Sequence, residues 1–235
     1  MLSVVVPAYN ESQRLRPTLV RLREYLDSID EEYEVLVVDD GSTDATVTVA
    51  QEARHCWPQL RVLALPRNQG KGAAVRAGML RARGEHRLFT DADLSTPIEE
   101  LPRLRERLVG DCQVAIASRA LKESRIETHQ PGRREMIGRM YNRLLRVSAL
   151  PGLRDTQCGF KVFTASAALA CFTPLKTLRF GFDAEVLLRA RRQGWSIAEV
   201  PVRWAHKEDS RVSAMRDSAR TLYELVVLQV NARRR

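Results

Sequence analysis

Apolar residues recur along the first half of the chain in two alternating rhythms. Leu2 to Val6, Glu34 to Val38, Arg61 to Leu65, Arg87 to Thr90 and Gln113 to Ala117 are short β-branched or apolar runs that read as strands. Between them, Pro17 to Ile29, Ala45 to Ala53, Ala73 to Ala82 and Ile98 to Leu108 carry apolar positions at helical spacing. Near-continuous apolar strands joined by helical crossovers are what a parallel sheet covered on both faces requires, so this half predicts a doubly wound α/β layer. Ligands of such sheets bind beyond the strand C-termini. Each polar cluster described below follows a strand.

After Ala117 the pattern loosens. Lys122 to Arg134 is polar, carries Pro131-Gly132 and predicts a mobile loop; helical spacing resumes over Glu135 to Leu150. A strand over Gly159 to Thr164, a short helix from Ala165, a helix over Asp183 to Gln193 and a strand over Ile197 to Trp204 follow. Met215 to Val230 is amphipathic and ends in a basic tail, Arg233 to Arg235. The expected organisation is one catalytic domain over residues 1–213 and an amphipathic C-terminal helix over 214–235, which packs on the domain or lies at a membrane interface. The 235-residue length suits a single α/β domain.

Composition removes several classes. No apolar stretch approaches the roughly 18 residues of a spanning helix, and Met1 to Val6 runs into a turn without the pattern of a secretory signal. The four cysteines, Cys56, Cys112, Cys158 and Cys171, never form C-x-x-C, which speaks against structural zinc and a disulfide framework and fits a reducing cytoplasm. His55, His86 and His129 share no metal-ligand spacing. Lys and Arg outnumber Asp and Glu 38 to 29, a balance of +9 that favours nucleic acid, anionic lipid heads or phosphorylated substrates. The absence of interleaved aromatic residues and of any recognisable nucleic-acid motif excludes the first of these.

The candidate chemistry sits in the turns. Asp91-Ala92-Asp93 directly follows a strand, and two carboxylates one residue apart can hold a hard divalent cation, Mg2+ or Mn2+, against the phosphates of a nucleotide. Asp39-Asp40-Gly41-Ser42-Thr43-Asp44 opens a helix; capping explains one of its acids, and Asp39 can accept hydrogen bonds from a base or ribose. Pro7-Ala8-Tyr9-Asn10-Glu11 ends the first strand, where Tyr9 can cover a base and Glu11 can accept from the nucleoside. Asn68-Gln69-Gly70-Lys71-Gly72 is a Gly-spaced turn suited to phosphate, although it is not the G-x-x-x-x-G-K-S/T sequence of a P-loop. Ser118-Arg119 and Arg133-Arg134 offer further phosphate ligands.

Val4 to Glu11, Val37 to Asp44, Asn68 to Gly72, Asp91 to Pro97, Ser118-Arg119, Asp155-Thr156-Gln157-Cys158-Gly159-Phe160-Lys161 and Phe180 to Glu185 together resemble the ordered motif series of family 2 glycosyltransferases, especially the polyprenyl-phosphate sugar synthases. The resemblance implies a GT-A-type, Rossmann-like, mostly parallel sheet in a single domain. It also implies a nucleotide-sugar donor, UDP-glucose favoured, a divalent metal on Asp91 and Asp93, and a polyprenyl or dolichyl phosphate acceptor at the cytoplasmic face of a membrane. By position, Pro7, Tyr9, Asn10, Glu11, Asp39, Lys71 and Ala92 would join the two metal aspartates around the donor. Lys207 and Arg211 would contact its phosphates, and Ser118, Arg119, Arg133 and Arg134 would hold the acceptor. Asp155, Gln157, Asp183 and Glu185 would organise the pocket. A phosphate acceptor needs no general base, whereas a hydroxyl acceptor would make Asp155 or Asp183 the candidate base. Ser95 stands where many mannosyl-transferring relatives have Gln, which favours the glucosyl branch. A GDP-mannose donor and a soluble or glycan hydroxyl acceptor remain the alternatives. The expected partners beyond the substrates are an anionic membrane surface or a membrane-embedded protein.

Overall fold

The computed structural model describes residues 1–128, 136, 140, 142–143, 145–147 and 150–207. The strands are β1 (Leu2–Ala8), β2 (Tyr33–Asp39), β3 (Leu60–Ala64), β4 (His86–Thr90), β5 (Cys112–Ser118), β6 (Arg125–Thr128), β7 (Phe160–Thr164), β8 (Ser196–Pro201) and β9 (Arg203–Ala205). The helices are α1 (Ser12–Ser28), α2 (Thr46–His55), α3 (Lys71–Arg81), α4 (Leu101–Arg105), α5 (Ala165–Phe172) and α6 (Phe182–Arg192). Seven strands form one sheet in the order β3-β2-β1-β4-β7-β5-β8, with β7 antiparallel to both neighbours and the other pairs parallel. The order reverses between β1 and β4, the crevice where open α/β sheets place their ligands. This single domain is the doubly wound, mostly parallel architecture that the apolar rhythm implies.

Strand alternation supplies both faces of the core. Val4, Val6, Val35 and Val37 pack with Leu15, Leu19, Leu22 and Leu26 of α1 on one side. Val5, Leu36 and Val38 pack with Ala74, Val75 and Met79 of α3 and with Phe163, Phe172 and Phe182 on the other. Every one of these side chains is buried, which is why the strands read as continuous apolar runs.

The local differences from the sequence reading have identifiable causes. Helix α1 begins at Ser12 and runs through Pro17, since the buried Leu15, Leu19, Leu22 and Leu26 stripe outweighs the one hydrogen bond that proline cannot donate. The helix expected over Ile98 to Leu108 is a 3-10 turn (Ile98–Glu100) followed by the short α4; Pro102 lacks an N–H, and the Arg107 and Leu108 amides return three residues instead of four. The loop expected over Lys122 to Arg134 contains β6, which pairs in parallel with β9. The single strand expected over Ile197 to Trp204 is divided, with β8 ending at Pro201 beside β5 and β9 joining β6. The expected helix over 214–235 lies outside the described residues.

Candidate functional site

The first two loops at the strand C-termini are stapled together. Asn10, at φ 55, accepts at Oδ1 from the Thr43 amide (2.8 Å) and the Asp44 amide (3.3 Å), and its own amide donates to Ser42 Oγ (2.8 Å). The Glu11 amide donates to Thr46 Oγ1 at 2.8 Å, and the Glu11 carboxylate is paired with Arg14. Asp44 accepts from the Thr46 and Ser12 amides, joining the starts of α1 and α2. Desolvation opposes its charge, but these bonds together outweigh it and hold the carboxyl at about 2.

Asp39 and Asp40 are adjacent and both buried, yet they serve different ends. Asp40 accepts from Asn68 Nδ2 (2.9 Å) and from the Gln69 (2.8 Å) and Gly70 (2.7 Å) amides, which anchors the turn that starts α3. Gly70 lies at φ +107, a conformation that favours glycine, and a Cβ there would stand 2.6 Å from the Leu178 carbonyl oxygen. Burial pushes the Asp40 carboxyl above its ordinary value. Asp39 spends Oδ2 on the Ser42 amide (3.0 Å), and its Oδ1 is buried with no partner among the described residues. Tyr9 is 38% exposed at the rim of this loop, while Pro7 is buried within β1.

Beyond β4, Asp91 and Asp93 stand on a turn closed by the Leu94 amide to the Asp91 carbonyl, with Leu94 itself at φ 46. Ala92 is buried and its carbonyl accepts from Thr18 Oγ1 at 2.5 Å. The Asp91 amide donates to the Gly159 carbonyl (3.0 Å). A Cβ on Gly159 would stand 2.0 Å from Asp91 Oδ2, so only glycine leaves room for that carboxylate. Lys71, the first residue of α3, forms an ion pair with Asp91 Oδ1. Burial works against the Lys71 charge, but Asp91 and Asp183 outweigh it and lift the ammonium above its ordinary value. Burial, then the charge of Asp91, pushes the Asp93 carboxyl upward.

Beneath this pair lies a residue that the sequence reading quoted without a role. Lys161 is fully buried on β7, donates to the Cys158 carbonyl (2.6 Å) and Asp183 Oδ1, and lies 5.1 Å from the Phe89 ring centroid. The available signal was a lysine inside the otherwise apolar run Phe160 to Phe163. Burial pushes the Asp183 carboxyl up, with Lys161 and Lys71 opposing. Glu185 faces another way: it accepts from the Lys176 and Thr177 amides and from Arg189. It thereby holds the loop whose Leu178 carbonyl receives the Ala73 amide of α3.

A second cluster follows β5. Arg119 grips Asp155 through Nε (2.6 Å), a terminal nitrogen (2.9 Å) and its backbone amide (3.0 Å). Asp155 also receives the Gln157 amide (3.2 Å) and Asn142 Nδ2 (3.5 Å). Burial would raise the Asp155 carboxyl, but the Arg119 guanidinium holds it at about 2. Arg119 lies 5.4 Å from the Trp204 ring, which stacks in turn on His206. Trp204, Asn142 and Glu199, which accepts the Asp155 amide at 2.7 Å, were missed because only the fold brings β9, β8 and position 142 to this loop. Ser118 is fully buried, its Oγ accepting from the Ala120 amide. Burial pushes the Cys158 thiol up to about 11 beside Thr96, the environment of a packed residue. Lys207 is exposed, whereas Arg133, Arg134 and Arg211 lie outside the described residues.

Lys71, Asp91, Asp93 and Asp183 thus act on one another beyond β4, while Asp39 stands at the end of β2 and Arg119 grips Asp155 after β5. A glycosyl transferase family 2 profile matches residues 3–172. The chain belongs to that family. The glycosyltransferase is 40% identical over 225 residues to a dolichyl-phosphate beta-glucosyltransferase of Drosophila melanogaster, covering 90% of this chain and 69% of that protein. It is 37% identical over 235 residues to one from Trichomonas vaginalis, covering 95% and 70%, and 37% identical over 225 residues to the human protein of that name, covering 90% and 69%. In three dimensions it is similar to glucosyl-3-phosphoglycerate synthase of Mycobacterium tuberculosis in complex with Mn2+, UDP and phosphoglyceric acid. The TM-score is 0.74 at 21% identity, covering 97% of this chain and 78% of that one. The same synthase in complex with Mg2+ and UDP gives a TM-score of 0.72. Among the described residues no helix is long and apolar enough to cross a membrane.

Proposed function

We propose that this glycosyltransferase moves glucose from UDP-glucose to a dolichyl or other polyprenyl phosphate, with inversion, peripherally at the cytoplasmic face of a membrane. The observation that carries the donor assignment is the buried, unpartnered Oδ1 of Asp39 at the end of β2. An unsatisfied buried acceptor costs about 1 to 3 kcal/mol, which a bound donor N–H relieves. With Oδ2 already held by the Ser42 amide, one oxygen is free for one N–H. The imide of uracil offers one, whereas guanine offers two neighbouring donor groups. Dolichyl-phosphate beta-glucosyltransferases as relatives support the glucose and the lipid phosphate.

A divalent metal fits the residues present. Asp91 and Asp93, two carboxylates on one turn, are the residues that would hold a hard divalent cation; among the described residues no group of three His, Cys, Asp or Glu side chains is placed to hold a metal. Burial, and then the charge of Asp91, push the Asp93 carboxyl upward, and a bound cation would offset both. When bound, Mg2+ or Mn2+ supplies positive charge against the leaving diphosphate. That the similar synthase was crystallised with Mn2+ or Mg2+ and UDP agrees with this reading.

The chain's own residues favour a phosphate nucleophile. An acceptor phosphate oxygen attacks the anomeric carbon as the bond from that carbon to the diphosphate breaks, and UDP leaves. A phosphate monoester is already anionic at neutral pH, so no side chain has to remove a proton. Asp155, held at about 2 and saturated by Arg119, Gln157 and Asn142, is a poor base for a hydroxyl. The test is transfer of radiolabelled sugar from UDP-glucose and GDP-mannose to dolichyl phosphate in detergent with Mn2+. Labelled lipid from UDP-glucose alone is expected. Lipid labelling from GDP-mannose instead overturns the donor, and labelling of soluble hydroxyl acceptors without lipid product overturns the acceptor.

A further inference from the structure

A divalent cation held by Asp91 would compete with the ammonium of Lys71 for that carboxylate, since Lys71 Nζ pairs with Asp91 Oδ1. We propose that Lys71 is an exchangeable counter-ion: it neutralises Asp91 until metal and diphosphate arrive together, and then passes its charge to the diphosphate oxygens. The inference rests on the metal reading above and adds to it how loading is controlled.

The surroundings leave the lysine as the partner that moves. Asp91 is backed by Gly159, so close that a Cβ would stand 2.0 Å from Oδ2, and its amide is tied to the Gly159 carbonyl. Lys71 stands on the first residue of α3 with its side chain 22% exposed, and a lysine head on a four-carbon stem changes partners without moving the backbone. The second ammonium of the cluster has no such freedom, because Lys161 is fully buried and bonded to both Asp183 and the Cys158 carbonyl. Lys161 is therefore fixed on Asp183 and the Cys158 carbonyl, and Lys71 is the charge that can be traded. Metal alone must break the direct Lys71–Asp91 pair and leave the lysine only the more distant charges of Asp183 and Asp93. Metal with a diphosphate gives the lysine a new anionic partner. Metal and nucleotide then bind with positive coupling, and each raises the affinity for the other by the same factor.

The experiment measures Mn2+ binding directly, by electron paramagnetic resonance of the free ion, with and without UDP. Without nucleotide, Lys71→Met should bind Mn2+ roughly tenfold tighter than wild type, and Lys71→Arg no tighter than wild type. UDP should then strengthen Mn2+ binding more in wild type than in Lys71→Met. If Lys71→Met binds Mn2+ no tighter while UDP still promotes binding in wild type, the exchange is overturned and the metal reading stands. If no form binds Mn2+ even with UDP, the metal reading fails and takes the exchange with it. Wild-type protein provides a second measurement should Lys71→Met not fold. In 15N-lysine spectra, saturating Mg2+ should shift the Lys71 ammonium resonance, assigned with Lys71→Arg, and an unmoved resonance overturns the proposal.

Discussion

Two carboxylate–cation pairs stand near strand ends, Asp91–Lys71 after β4 and Arg119–Asp155 after β5, and they differ in kind. Asp155 is saturated: the Arg119 fork gives it two side-chain bonds and a backbone bond, and Gln157 and Asn142 add more. Asp91 has a single lysine ammonium on one oxygen and a glycine behind the other. A forked guanidinium builds a permanent joint, whereas an ammonium makes a contact that another cation can replace. The first pair is therefore framework and the second is equipment. This changes the expected role of Arg119, whose charge is committed to Asp155 and whose face is covered by Trp204. We propose instead that Arg119 serves the acceptor side by holding its loop in place.

The sharpest test of the division lies next to the second pair: Asp93→Ala, which removes the other proposed metal carboxylate, should lower kcat by about 1,000-fold with little change in melting temperature. Steady-state rates in Mn2+ beside a thermal melt check both halves, and near-normal turnover would break the division. Arg119→Ala should do the reverse in emphasis. It strands a buried carboxylate and should cost about 3 kcal/mol of stability in urea unfolding at neutral pH. If that variant is stable but loses affinity for acceptor phosphate, Arg119 belongs with the equipment.

The acid limb of stability sharpens the contrast further. Asp155 is held at about 2 against an ordinary 3.8, so its contribution is present above pH 3.8 and is lost as pH falls towards 2. Linkage puts that contribution at about 2 kcal/mol. Asp93 and Asp183 are pushed up by burial, so they act in the opposite sense: protonating them on acidification favours the folded state. Urea midpoints between pH 2 and 5 should accordingly flatten in Asp155→Asn. The smallest effect is expected at Asp44, which shares a carboxyl at about 2 with Asp155 but is exposed. Asp44→Ala should cost about 1 kcal/mol through the lost bonds to the Ser12 and Thr46 amides, and added salt should weaken the charge effect but not that at Asp155. Equal salt sensitivity would show that burial is not what separates the two.

The fold was largely legible in the linear pattern because a parallel sheet covered on both faces demands continuous apolar strands, and runs such as Val4-Val5-Val6 have few other uses. The strand-end turns were legible for a related reason: Asp91-Ala92-Asp93 and Asp39-Asp40 interrupt apolar strands with charges that no core would keep. Proline and glycine positions misled where burial overrode them, as at Pro17 inside α1, or where pairing required a distant partner, as for β6 with β9.

What the sequence by itself determined is the alternation of strands and helices and the identity of the acids at the strand ends, since both follow from short-range spacing. Only the tertiary structure decided which oxygen of each acid is free. The strand-end position singled out Asp39 over Asp40, but only folding shows that Asp40 is consumed by Asn68, Gln69 and Gly70, whereas among the described residues Asp39 keeps one buried oxygen unpaired. Lys161, Trp204 and Glu199 likewise acquire their roles from strands that meet across long stretches of chain. Hydrogen-bond saturation depends on three-dimensional neighbours, and burial raises the stakes of each missing or surplus partner.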